Sequence, residues 1–177
     1  MVSAKSRLFL DVDGVLADFD AHAAAMFSAT PQELGDDRLW QLVEGLADFW
    51  TAIPLKAGAM DVWSVAKDHD PIFLTGCPRT GFDRAAAHKR EWLQRHFGEV
   101  PVITCFSRDK ARHLKAPGDI LVDDRIANIK RWEKAGGRGI WYRDAEQTVR
   151  DLRQALRSES LAHDDGGPEA GAAGFRS

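Results

Sequence analysis

Cysteine is scarce in this sequence, which contains Cys77 and Cys105 and no others. Their spacing does not suggest a metal site, and so few cysteines argue against a disulfide-stabilised secreted domain. Apolar runs long enough to span a membrane are also lacking, as is the hydrophobic segment of a signal peptide at the amino terminus. We therefore expect a cytoplasmic protein with reduced thiols and no membrane partner.

An excess of positive charge is lacking as well. The formal net charge is −3, which gives no electrostatic reason to expect a nucleic-acid polymer as a partner. The six histidines show no spacing typical of metal ligands. The 177 residues suffice for one domain with a sizeable core, so the function has to be inferred from short motifs.

The segment from Phe9 to Phe19 carries the strongest functional signal. Its apolar start predicts a buried strand that ends in two carboxylates, Asp11 and Asp13, followed at once by Gly14. Alternate strand residues point to opposite faces, so both carboxylates share a site only where the backbone curls, which glycine permits. Ligands of open α/β sheets bind at this edge, and clustered carboxylates favour Mg²⁺. An acidic turn without a ligand is the alternative.

Three further apolar segments are each followed by a residue type that suits phosphoryl chemistry. These residues are the hydroxyl of Thr75, the ammonium of Lys110 and the carboxylates of Asp123 and Asp124. Four predicted strands that all end in such residues are improbable by chance. The pattern predicts that these side chains meet at one edge of a sheet.

This order of motifs resembles the haloacid dehalogenase (HAD) superfamily of phosphohydrolases, in which Asp-x-Asp, Thr or Ser, Lys and an acidic pair follow one another. The resemblance extends from about Arg7 to Leu156. Within the superfamily, the sequence is most similar to the 5′(3′)-deoxyribonucleotidase branch. The matching segments are Asp11 to Phe19, Phe49-Trp50 before Pro54, Lys89 and Trp92 before His96-Phe97-Gly98, Arg108-Asp109-Lys110 and Asp123-Asp124-Arg125.

The resemblance implies a role for each of the charged motif residues. Asp11 would be the nucleophile that forms an aspartyl-phosphate, and Asp13 would be the general acid and base. Lys110 would neutralise charge between Asp11 and the phosphate. Mg²⁺ would be bound by the carboxylate of Asp11 and the backbone carbonyl of Asp13. The remaining carboxylate ligand would be Asp124 or Asp123, and we favour Asp124 as the direct one.

Other residues are candidates for binding the phosphate. Thr75 would offer its hydroxyl and Gly76 its backbone N–H, although Thr75 could instead cap the next turn. Lys89 matches a lysine near the phosphate in the resembling family, and Arg79 lies just past Thr75. A solvated surface position is the alternative for both Lys89 and Arg79.

Aromatic residues between the first two predicted strands suggest where a nucleobase could stack. By resemblance, Phe19, Phe49 and Trp50 line a nucleoside pocket. The alternative is that these rings form the hydrophobic centre of a small helical insertion.

Alternation of strands and helices predicts an α/β fold with a mainly parallel sheet. The resemblance implies a three-layer Rossmann-like core, residues 1–17 and 55–160, with a small helical cap, residues 18–54, inserted after the first strand. The Gly-, Ala- and Asp-rich tail, residues 161–177, is expected to be disordered. The expected strands are 7–11, 71–75, 101–105, 119–123 and 138–142, and the later helices are 56–69, 81–97, 126–135 and 145–157.

The leading hypothesis is a Mg²⁺-dependent phosphomonoesterase acting on (deoxy)ribonucleoside monophosphates. The runner-up is a HAD phosphatase for another small metabolite, such as a sugar phosphate. A receiver-type phospho-acceptor domain is disfavoured, because in receivers the acidic pair comes first and the lysine last. A non-catalytic scaffold is disfavoured because every charged motif residue is present. The cap helices could pair two subunits, so a homodimer is left open.

Overall fold

A five-stranded parallel β-sheet forms the centre of the computed structural model, which describes residues 6–164. The strand order is β3-β2-β1-β4-β5, with β1 in the middle. The strands are β1 (Leu8–Leu10), β2 (Ile72–Gly76), β3 (Val102–Cys105), β4 (Ile120–Asp123) and β5 (Arg138–Trp141). The predicted α/β class with a parallel sheet is therefore confirmed.

Helices connect the strands and cover both faces of the sheet. They are α1 (Phe19–Phe27), α2 (Pro31–Leu34), α3 (Asp36–Glu44), α4 (Ala59–Ala66), α5 (Phe82–Phe97), α6 (Ile126–Lys134) and α7 (Ala145–Asp164), with 3₁₀ helices at Lys67–His69 and Ser107–His113. In the described part of the chain, every helix is too short or too polar to cross a membrane.

The sheet is buried on both faces, as the continuous apolar strands require. On the smaller side, Phe9 and Leu121 pack beneath Trp132 of α6, whose indole N–H donates to the Asp119 carbonyl at 2.8 Å. The ring of Trp132 meets that of Phe9 edge to face, with centroids 5.1 Å apart. The larger cluster on the opposite side includes buried residues of α4, α5 and α7. Helices, sheet and helices thus form three layers.

Helices α1 to α3 lie in the segment that we expected to form the cap. The two connections of this segment to the sheet run side by side, since the Asp18 N–H donates to the Pro54 carbonyl at 2.9 Å and the Lys56 N–H to the Leu16 carbonyl at 2.7 Å. The indole of Trp92 on α5 also donates to a backbone carbonyl just before Pro54, at 2.7 Å. The segment therefore leaves and rejoins the core at one place.

Two predicted boundaries are wrong. Helix α7 continues to Asp164, so the expected disordered tail cannot begin at residue 161; Leu161 and Ala162 are good helix formers. Residues 165–177 lie outside the described part of the chain. Helix α4 begins at Ala59 rather than at residue 56, because Gly58 adopts a φ of 77° that is incompatible with a helix.

Candidate active site

Asp11 and Asp13 lie at the carboxyl end of β1, in the tight turn that Gly14 makes possible. Gly14 has a φ of 78°, and the N–H groups of residues 16 and 17 both fold back to the Val12 carbonyl. A Cβ on Gly14 would also overlap the carboxylate of Asp124. Glycine is therefore required here twice, once for the backbone conformation and once for the approach of the β4 loop to the β1 loop.

Lys110 is the central cation of the site. It lies in the 3₁₀ helix Ser107–His113 and is only 2% exposed. Its Nζ is 2.7 Å from Asp11 Oδ1 and 2.6 Å from Asp123 Oδ2. Burial disfavours the charged ammonium, but the Asp11 and Asp123 carboxylates outweigh it and raise the pKa of Lys110. Lys110 therefore stays protonated.

Three carboxylates meet beside this lysine. One oxygen each of Asp11, Asp123 and Asp124 lies within 4.8 Å of the others. Burial raises the pKa of Asp11 well above its usual value; Lys110 opposes this shift, while the other carboxylates add to it. Burial and the Asp123 carboxylate also raise the pKa of Asp124, to about 6. One lysine does not neutralise three carboxylates, so a divalent cation with oxygen preference fits this donor set.

The hydrogen bonds distinguish Asp123 from Asp124. Asp123 is fully buried, and its oxygens accept from Lys110, from the Arg125 N–H at 2.8 Å and from the Asn128 amide at 3.1 and 3.2 Å. Within residues 6–158, no hydrogen bond reaches the carboxylate of Asp124, although its carbonyl accepts from an indole N–H. Within this cluster, the carboxylate oxygens without a hydrogen bond from the described residues therefore belong to Asp124 and to Asp11, and these could hold a cation.

Lys89 is a buried site residue, so the alternative of a solvated helix position is wrong. Its Nζ donates to Asp13 Oδ2, to Thr75 Oγ1 at 3.1 Å and to the Gly76 carbonyl at 2.7 Å. It also lies 4.4 Å from the centroid of the Trp50 ring. The other carboxylate oxygen, Asp13 Oδ1, is buried without a hydrogen-bond partner among the described residues. Lys89 thus fixes Asp13 and leaves one of its oxygens available.

A cavity of about 1240 Å³ opens above these residues, between the sheet edge and the three-helix segment. We call its two sides the core wall, formed by residues that follow the strands, and the cap wall, formed by residues of the segment 18–54. The core wall includes Asp11, Asp13, Gly76, Arg79, Phe106, Arg108, Lys110, Asp124, Arg125, Asn128 and Arg131. The cap wall includes Phe19, Asp20, Asp36, Asp37, Trp40, Glu44 and Trp50.

Phe49 is not part of either wall, so its predicted contact with substrate is not supported. It is 2% exposed and stacks on Phe27 at 5.7 Å between centroids, with Phe19 and Trp50 edge-on at 5.6 and 5.4 Å. The contacts of Phe49 are those of the alternative interpretation, in which its ring packs inside the helical segment. Phe19 and Trp50 do reach the cavity, together with Trp40, which we had assigned no site role.

Comparison with known proteins leaves the chain without a family assignment, since no protein-family model matches it and no curated protein is significantly similar. Among solved structures it is similar to a HAD hydrolase, family IA, variant 3, from Entamoeba histolytica, with a TM-score of 0.43, 14% identity and coverage of 84% of this chain and 88% of that chain. It is also similar to a hydrolase from Streptococcus pneumoniae, with a TM-score of 0.45, 12% identity and coverage of 88% and 100%. Function is therefore argued from the residues themselves.

The structure brings together the charged residues singled out from the sequence and adds supporting residues that were missed. Asn128 bridges Asp123 and Ser107, at 3.1 Å from the Ser107 hydroxyl. Its position one turn into α6 gave no signal, because a single Asn in a helix is ordinary. Thr75 is completely buried and meets Lys89 rather than open solvent. The arrangement offers a buried carboxylate beside a buried cation, which suits nucleophilic attack on a group that carries negative charge.

Proposed function

We propose that this chain is a Mg²⁺-dependent phosphomonoesterase of the HAD type, which works through an aspartyl-phosphate and acts on nucleoside monophosphates. One observation carries the proposal: Asp11 and Asp124 face a large cavity, with the ammonium of Lys110 2.7 Å from Asp11. Phosphoryl transfer is mainly a matter of positioning and charge compensation, and this group of residues supplies both.

The reaction would proceed in two displacements. In the first, a carboxylate oxygen of Asp11 forms a bond to phosphorus while the bond to the leaving alcohol oxygen breaks, and Asp13 gives that oxygen a proton. In the second, Asp13 takes a proton from water, the water oxygen bonds to phosphorus, and the bond to Asp11 breaks. Phosphate leaves, and both aspartates return to their starting state.

The neighbouring cations support these roles. Lys110 compensates the charge on Asp11. Asp123 holds Lys110 in place through a second ion pair, and Asn128 holds Asp123 through a hydrogen bond. Lys89 binds Asp13 Oδ2 and so directs the partnerless Oδ1 as the oxygen that carries the proton. A divalent cation bound by the free oxygens of Asp11 and Asp124 would offset the charge of the carboxylates and of the phosphate.

The aromatic residues of the cap wall support a nucleotide as substrate. Phe19, Trp40 and Trp50 line the cavity, and stacking on such rings contributes about 1–3 kcal/mol per base. The centroid of the Trp50 ring lies 4.4 Å from Nζ of Lys89, which also binds Asp13. A phosphate at the carboxylates and a base against the cap wall could therefore be held at once. A sugar phosphate would leave these rings unused.

The test is phosphate release with Mg²⁺ and with EDTA, on a panel of deoxy- and ribonucleoside monophosphates, sugar phosphates and an aryl phosphate. We expect Mg²⁺-dependent release that is fastest with nucleotides. Release from the aryl phosphate or sugar phosphates but not from nucleotides would support the phosphatase activity and contradict nucleotides as the substrates. No release from any ester, with the protein folded, would contradict the proposed chemistry.

A further inference from the structure

The two walls of the cavity carry opposite charge. Four arginines lie on the core wall, and four acidic residues lie on the cap wall. The arginines are Arg79, Arg108, Arg125 and Arg131, and the acidic residues are Asp20, Asp36, Asp37 and Glu44. Within residues 6–158, no carboxylate forms an ion pair with any of these arginines. Their charge is therefore available to a ligand.

The catalytic group itself does not need these arginines for charge balance. Its four carboxylates, Asp11, Asp13, Asp123 and Asp124, are opposed by two ammonium groups, Lys89 and Lys110. One divalent cation would bring this group to neutrality. The phosphate that is cleaved would add about two negative charges, which two of the four arginines would offset. The remaining arginine charge is in excess of what the aspartates, the lysines and this phosphate require.

Three of the arginines are close to the catalytic group, two as neighbours in the chain and one through a side-chain hydrogen bond. Arg125 follows Asp124 in the chain, and Arg108 precedes Lys110 by two residues. Arg131 donates from Nη1 to Asn128 Oδ1 at 3.2 Å. Since Asn128 in turn binds a carboxylate of the catalytic group, this guanidinium is held in place before a ligand arrives.

We infer that the substrate carries a second anionic group, phosphate or carboxylate, besides the phosphate that is cleaved, and that Arg131, Arg108 and Arg125 bind it on the core wall. The guanidinium group is planar and donates two parallel hydrogen bonds to phosphate or carboxylate. The acidic cap wall would repel the second anion and so orient the substrate toward the arginines. This inference rests on the proposed phosphomonoesterase chemistry. It replaces a simple nucleoside monophosphate with an ester that carries a second phosphate or a carboxylate.

The test compares matched substrates under Mg²⁺: adenosine 5′-monophosphate with adenosine 3′,5′-bisphosphate, and glycerol 3-phosphate with 3-phosphoglycerate. We expect kcat/KM to favour the doubly anionic member of one pair by roughly tenfold or more. The pair that shows the preference distinguishes a second phosphate from a carboxylate. Equal or lower kcat/KM for both doubly anionic members would overturn the inference.

Variants separate anion binding from a structural role. Arg131→Gln and Arg108→Gln should each lower the preference for the doubly anionic substrate severalfold, mainly through KM. Arg112→Gln is the matched control, because Arg112 lies on the same 3₁₀ helix as Arg108, is 80% exposed and is absent from the cavity wall. If Arg131→Gln and Arg108→Gln lower kcat/KM equally for every ester, the arginines stabilise the protein rather than bind a second anion, and the inference is wrong.

Binding gives a readout that does not need turnover. In the Asp11→Asn protein, calorimetry should show tighter binding of the doubly anionic ligand, and Arg131→Gln in that background should remove the difference. If no ester, including an aryl phosphate, releases phosphate with the unmodified protein, the proposed function fails. The calorimetric comparison still decides whether the arginines bind a second anion.

Discussion

The core wall and the cap wall of the cavity hold their side chains in different ways. On the core wall, buried Lys110 binds Asp123, which lies beneath the wall and also accepts hydrogen bonds from Arg125 and Asn128. On the cap wall, the rings of Phe19, Trp40 and Trp50 contact each other at 5.7 to 6.3 Å between centroids. Directional bonds thus fix the charged groups of the core wall, whereas packing between rings, which is less directional, holds the cap wall.

Asp11→Asn tests the core wall most severely. Loss of the nucleophile should lower kcat on the order of 10⁴-fold or more, because residues that act as one unit fail together. Single-turnover phosphate release measures this, and ligand binding should persist. The matched control is Asp61→Asn, on the exposed side of α4, which should react at the normal rate. Appreciable turnover by Asp11→Asn would exclude this residue as the nucleophile.

Asp13→Asn should lower kcat by ~10²–10⁴-fold, the usual contribution of general acid–base catalysis. The amide retains the size of the carboxylate but loses its proton transfer and its ion pair with Lys89. The loss should be smaller for an aryl phosphate, whose leaving group needs less protonation. Equal losses for alkyl and aryl esters would assign Asp13 a role in positioning rather than in proton transfer.

Gly14→Ala should weaken the site through the metal rather than through the nucleophile. The added Cβ would displace the Asp124 carboxylate, so we expect ~10–100-fold lower Mg²⁺ affinity. Mg²⁺ titration of activity and of calorimetric heat measures this. Gly35→Ala is the control for backbone strain, because Gly35 has a similar φ of 70° but nothing within 4 Å of an added Cβ. Equal effects of both variants would point to strain alone.

Trp40→Ala and Phe49→Ala sharpen the description of the cap wall. Trp40→Ala should lower kcat/KM for nucleotides about tenfold relative to an aryl phosphate, because a stacking surface is lost.

Phe49→Ala should destabilise the fold by about 3–5 kcal/mol and affect both substrates alike. Denaturant unfolding and parallel kinetics on the two substrates measure these effects. A nucleotide-specific loss in Phe49→Ala would restore it as a binding residue.

The smallest expected effect is the dependence of stability on pH without metal. The pKa of Asp124 is raised to about 6 and that of Asp11 is raised too, so the folded state binds protons more tightly than the unfolded state. The resulting stabilisation is complete at low pH and is lost as the pH rises through about 6. In EDTA, the Tm of the protein relative to Asp124→Asn should therefore fall between about pH 4 and pH 6 and level off above that. With Mg²⁺ bound, the Tm difference between the two proteins should instead rise with pH. A Tm difference in EDTA that does not change with pH would contradict this prediction.

The sequence was sufficient to predict the parallel sheet and charged residues near its edge, because apolar strands precede them. Lys110 lies farther from its strand than the aspartates do, in the 3₁₀ helix that follows β3. The ends of neighbouring strands bring together Asp11, Asp123 and Lys110, and the end of a strand can be recognised from local sequence. The burial of Lys89 was not predictable in this way, because its partners come from β1 and β2 rather than from its own helix. The sequence left Phe49 open between pocket and packing for the same reason, since it shows that a ring is present but not which face is covered.

The paired connections at Leu16 and Lys56 have a consequence for how such a molecule can change over evolutionary time. Because the chain departs and returns at adjacent hydrogen-bonded positions, the segment between them is connected covalently to the rest at one place. Its other contacts with the core include hydrogen bonds from the side chains of Arg84, Trp92 and Arg95 on α5. Lengthening, shortening or replacing that segment leaves the register of β1 and the ends of the other strands where they are. Such changes would alter the cap wall while the carboxylates at the strand ends keep their positions.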